Sequence, residues 1–95
     1  MTIATLRLDL RFNPPSSARE TRRQLQAIME KLHKHFNVSI AGSDSNSAGE
    51  PGAIILVAAT VARTRREVRE TLERVADAVA SHPRAEILRN EYSEV

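Results

Sequence analysis

Three kinds of side chain in this 95-residue chain could do chemistry: histidines, paired carboxylates and a run of arginines. Metal ligands on a helix must stand three or four residues apart to share one face. His33 and His35 stand two apart, about 200° around a helix, so they cannot chelate one ion together. His82 precedes Pro83, where ending a helix is role enough. Glu70 and Glu73 sit at helical spacing among Arg66 and Arg69, an arrangement of solvated charges and not an acid–base pair. Zero cysteines remove thiol catalysis and iron–sulfur ligation. No metal site, no cofactor and no catalytic residue are expected; the chain reads as non-enzymatic.

The arginines are different. Between Ser17 and Phe36 five Lys or Arg stand against two Glu, a local charge of +3, whereas residues 64–81 balance four against four. A cationic helix flank of Arg19, Arg22, Arg23 and Lys34 can follow phosphates through charge-assisted contacts that weaken steeply with salt. The plainer alternative is a solvated helix face carrying ordinary solubility charges. Arg7 and Arg11, flanking Asp9, form a second, smaller basic group.

The elements that position these residues follow from periodicity. From Thr2 to Phe12, Ala4, Leu6, Leu8, Leu10 and Phe12 alternate with Ile3, Thr5, Arg7, Asp9 and Arg11, a strand with one apolar and one charged face. Asn13-Pro14-Pro15 ends it. Ser17 with Glu20 reads as a capping box. Ala18, Thr21, Leu25, Ile28, Met29, Leu32 and Phe36 then form a core-facing helical stripe. A short strand starts at Asn37. Residues 42–52 are rich in Ser and Gly and read as a flexible hairpin loop. Ala53 to Ala62 is apolar on both faces, as in a central strand buried on both sides or one whose open face a partner covers. Thr64 with Glu67 caps a second helix carrying Val68, Leu72, Val75 and Val79, stopped by Ser81-His82-Pro83. Ala85 to Tyr92 is a final edge strand.

The resulting order, βαββαβ, gives one α+β domain over residues 1–95. It is a ferredoxin-like sandwich with two helices on one face of a four-stranded antiparallel sheet, strand order 4-1-3-2. Hydrophobic residues at 41% and charged residues at 27% describe a globular chain with an aliphatic core. A net charge of +2 is too small to imply a polyanion partner without clustering. The first residues lack a signal-like pattern, and the longest apolar run is far too short to span a bilayer. A cytoplasmic protein with no membrane partner is expected.

Ser17, Glu20, Arg22 and Arg23, then Phe36-Asn37-Val38-Ser39, the third strand and the junction His82-Pro83-Arg84-Ala85-Glu86-Ile87-Leu88 resemble the YlxP-like family, small bacterial proteins of unknown function. The resemblance covers essentially the whole chain and implies a ferredoxin-like fold. Because members are often encoded near translation factors, it also implies a translation-linked role. The chain departs from the family in two places: Ala41 or Gly42 stands where an acidic residue is usual, and the Ser- and Gly-rich loop replaces a Trp-containing hairpin.

Within this fold, acylphosphatases cradle phosphate in the loop after the first strand. Asn13-Pro14-Pro15 lacks the glycines and backbone N–H groups for that. RNA-recognition modules stack bases on sheet aromatics, which the first and third strands here do not offer on their open face. Two functions remain. One is RNA or ribosome binding through Arg19, Arg22, Arg23, Lys34, Arg7 and Arg11. The other is a homo-oligomeric interaction module, a homodimer through the open sheet face, whose aliphatic side chains would otherwise invite aggregation.

Overall fold

The strict two-residue alternation of the first strand organises the molecule. A computed structural model describes residues 1–43 and 52–95. Its elements are β1 (Thr2–Phe12), α1 (Ala18–His35), β2 (Ser39–Ser43), β3 (Ile54–Ala62), α2 (Arg65–Ala80) and β4 (Ala85–Glu94). The sheet order is β2-β3-β1-β4, every pairing antiparallel. This is the expected ferredoxin-like sandwich. β1 is the spine: it pairs with β3 from Thr2↔Ala62 to Leu10↔Ile54, and with β4 from Ala4↔Glu94 to Phe12↔Ala85.

Even-numbered β1 residues Ala4, Leu6, Leu8, Leu10 and Phe12 are buried under the helices with Ile54, Leu56 and Ala58 of β3. Leu25, Ile28 and Leu32 of α1 and Val68, Leu72, Val75 and Val79 of α2 close the same core. Burying these aliphatic stripes is the main source of stability, since most of the stability of a helix in a folded domain comes from packing its apolar face and not from its own propensity.

Four details depart from expectation. Ala18 is exposed and Thr21 only partly buried, because the fully buried stretch of α1 begins at Leu25 and its first turns stand clear of the core, while Met29 and Phe36 pack partly buried against the core's margin. Of the two readings of β3, burial on both sides does not hold within the single chain: Ile54, Leu56 and Ala58 are buried, while Ile55, Val57 and Ala59 on the other face are partly open. β4 continues past Tyr92 to Glu94, and Val95 adds a backbone hydrogen bond to the Ile3 carbonyl at 2.8 Å. β2 starts two residues later than expected, since Phe36 leaves α1 in an extended conformation and the Val38 N–H bonds the Phe36 carbonyl at 3.0 Å.

β2 also runs through Gly42, which the residue type alone suggests is loop. A Cβ on Gly42 would lie 3.0 Å from both Leu25 Cδ2 and Met29 Sδ. Glycine is there to let the edge strand approach α1 closely, not to turn. Of the expected hairpin loop, residues 44–51 lie outside the described residues.

Gly42→Val should therefore destabilise the domain by about 1–3 kcal/mol through overpacking. Ala41→Val, on the opposite face of the same strand, should change stability by less than about 0.5 kcal/mol. Urea denaturation of the two variants measures both.

Candidate functional site

α1 is built from a capped start and a divided surface. The Ser17 hydroxyl accepts the Glu20 N–H at 3.2 Å, satisfying one open donor of the first turn. The Glu20 carboxylate accepts from Gln24 Nε2 at 3.0 Å and pairs with Arg23 at 2.8 Å. These two contacts, the Gln24 hydrogen bond first, hold the Glu20 carboxyl below its ordinary pKa, so it stays ionised beside the arginines.

At about 100° per residue, Arg19, Arg22, Arg23, Gln26, Glu30, His33 and Lys34 fall within an arc of about 120° on the side away from the buried stripe, with Arg22 at the edge nearest to it. All seven are exposed. From Arg19 to Lys34 this face is about 22 Å long. Arg22 also lines a cleft of about 220 Å³ with Leu25, Gln26, Met29 and Gly42, where α1 meets the β2 edge.

Arg7 and Arg11 lie elsewhere. They are odd-numbered residues of β1 and occupy the sheet face turned away from both helices, so the six sequence-predicted residues divide between opposite sides of the molecule. On that face the β1–β4 register sets Arg7 opposite Glu91, Asp9 opposite Arg89 and Arg11 opposite Glu86. Each cross-strand pair has opposite charges, the favourable arrangement for directly facing residues. Arg7 Nε donates to Asp9 at 2.8 Å, Arg11 pairs with Glu86 at 3.0 Å, and Arg89 pairs with Glu91. Asp9 is buried, its side chain only 6% exposed, and its hydrogen bond is the main influence raising the Arg7 pKa. These two arginines are committed to carboxylates.

Arg84 is a further organising residue that sequence pattern did not reveal. Its guanidinium donates to the Pro14 carbonyl at 2.6 Å and to the Ser16 hydroxyl, while its carbonyl accepts from the Asn13 N–H at 2.8 Å. This clasp ties the β1–α1 connection, whose Asn13–Pro14 bond is cis, to the turn before β4. His82 belongs to the same clasp: its Nδ1 accepts the Arg84 N–H at 3.1 Å, and its ring meets Phe12 at 5.5 Å between centroids. A lone arginine after a proline carries no sequence signal for partners about 70 residues away.

On the far side of α2, Arg69 lies over the Tyr92 ring, 4.3 Å from its centroid, beside a cleft of about 310 Å³ that Leu6, Leu72 and Asn90 help line. Among the described residues no group of three or more His, Cys, Asp or Glu could hold a metal ion, and no helix is long and apolar enough to cross a membrane.

A family model described as "Protein of unknown function (DUF503)" matches residues 3–92. The YlxP-like resemblance is consistent with that family. No curated protein matches the chain.

Desolvation, followed by the nearby Glu94 carboxylate, pushes the Tyr92 hydroxyl above its ordinary pKa of 10.0. For an acid raised in the folded state, the stability gained is complete below the unfolded pKa and is lost as pH rises through the folded one. Tyr92 is the only tyrosine, so ultraviolet difference titration reads it directly. It should ionise above free tyrosine, and higher still in Arg69→Ala, because Arg69 opposes the shift.

Proposed function

Because the chain belongs to the DUF503 family, whose description assigns no chemistry, we propose its function from its own surfaces: a non-enzymatic, translation-linked binding protein that contacts structured RNA or a ribosomal surface in the cytoplasm. The contact surface is the outer face of α1. Its exposed Arg19, Arg22, Arg23 and Lys34, against Glu30, make one cationic stripe on a rigid, capped helix. That juxtaposition carries the proposal.

Three physical features support it. A helix holds its charges at fixed spacing, so less backbone ordering is needed on binding than for the same charges on a loop. Arginine adds planar, multiple donors that match phosphate oxygens. The Glu20–Arg23 pair lies at the edge of the stripe, exposed at its arginine end, with the Arg23 side chain 77% accessible. Exposed pairs of this kind are worth little and exchange readily for a phosphate. Recognition of this type reads shape and backbone charge, not base sequence. It suits a protein whose three aromatics, Phe12, Phe36 and Tyr92, are all engaged against the core.

Arg19→Ala/Arg22→Ala/Arg23→Ala should retain the fold, since none of the three is buried. Binding to ribosomal subunits or structured RNA should weaken at every salt concentration. The slope of log affinity against log salt should flatten by about 2 to 3, one for each lost phosphate contact. Co-sedimentation across a salt series reads both effects. Unchanged affinity and slope in a variant with a native circular dichroism spectrum would remove this function.

A further inference from the structure

The sheet face turned away from the helices has two halves. Along β1 and β4 runs the ladder of matched charges, three cations against three anions: Arg7, Arg11 and Arg89 with Asp9, Glu86 and Glu91. Along β3 and its neighbours runs an aliphatic strip: Ile55, Val57, Ala59 and Val61, with Ile3 paired directly across from Val61. Ile3 is 48% exposed and Val61 50%. The other two large apolar residues exposed among the described residues, Met1 and Val95, adjoin the same corner, Val95 through its hydrogen bond to Ile3. Scattered exposed aliphatics need no explanation, but four gathered at the end of a continuous strip do.

We propose that this face is a self-association surface whose occupant is a second copy of the chain, related by a two-fold axis with the two sheets packed face to face. Charge decides against a polyanion or a strongly charged protein. The face is neutral, and its charges are matched within it, so it offers no net field to either. A second copy presents the same neutral ladder and the same strip, as an isologous contact requires.

Area sets the extent of the contact. Four strands about 4.8 Å apart and about nine residues long cover roughly 600 Å². Stable interfaces need at least about 600 Å² per partner. The aliphatic strip alone is too small, so the matched ladder must be enclosed as well. A ladder of already paired charges can enter an interface without leaving a lone buried ion, the costly case. The half-open side of β3, which sequence pattern shows as apolar throughout, is then covered. The resulting dimer belongs to the smaller, reversible class of interfaces.

Sedimentation velocity of the intact protein from about 1 to about 200 µM should show a shift from 10.6 kDa toward twice that mass. Val57→Glu and Val61→Glu should each raise the dimer dissociation constant at least tenfold, a change of about 1.4 kcal/mol, with unchanged melting at concentrations where the unmutated protein is monomeric. The α1 triple alanine variant should dimerise normally, which separates this surface from the RNA-binding one. In the unmutated protein, methyl resonances of Ile3, Val57 and Val61 should move with concentration while those of Leu72 and Val75 stay fixed. A monomer throughout the range, or a dimer unmoved by both substitutions, would overturn the proposal. So would concentration-dependent shifts confined to other surfaces.

Discussion

The alternation of β1 is the constraint on which the rest depends. Because its side chains point to opposite faces in strict turn, Ala4, Leu6, Leu8, Leu10 and Phe12 enter the core while Ile3, Thr5, Arg7, Asp9 and Arg11 cannot. A slip of one residue would drive three charged groups beneath the helices and expose the aliphatics, so one register is strongly preferred. Both neighbours are then fixed against this strand. β3 aligns by burying Ile54, Leu56 and Ala58 on the same side. β4 aligns by setting Glu91, Arg89 and Glu86 opposite Arg7, Asp9 and Arg11. Hydrophobic burial supplies the energy; the charge ladder adds selectivity. Between Asp9 and Leu10 the β4 register shifts, and without that irregularity the third charge pair would not align.

The helices answer to the same face. Each presents one aliphatic stripe to the sheet, and each is started by a hydroxyl cap, Ser17 for α1 and Thr64 for α2, that accepts the N–H three residues on. Their outer surfaces differ. The exposed side of α2 balances its charges, with Arg66 and Glu70 paired one turn apart. That of α1 does not, and the excess is cationic. Packing therefore separates the molecule into a neutral sheet face and a basic helix face with an aliphatic core between them. That separation keeps the two proposed contact surfaces on opposite sides of one small domain.

Local signals were sufficient for much of this. Capping pairs, periodicity and the proline breaks placed six elements and their order, and the apolar alternation named the core strands. What sequence could not convey was long-range partnership. Arg7 and Arg11 look like available cations beside Asp9. Only the pairing with residues 86–91 shows them matched, because that register passes through an irregularity with no sequence mark. Gly42 looks like loop because glycine usually means freedom, whereas here it makes room for Leu25 and Met29. Ala18 fits the helical stripe by angle, yet a stripe says nothing of where the sheet beneath it stops. Arg84 and His82 bind the two turns together across the chain, and neither carries a local pattern for that task.

The division between a cationic helix face and a neutral sheet face is tested most directly by backbone amide chemical-shift mapping of the intact protein during titration with a structured RNA hairpin at low salt. Perturbations centred on Arg19, Arg22, Arg23, Gln26, Glu30 and Lys34, reversed by added salt, with Val57 and Arg89 unmoved, are the expected result. Perturbations centred on the open sheet face, or none at any RNA concentration, would contradict the account.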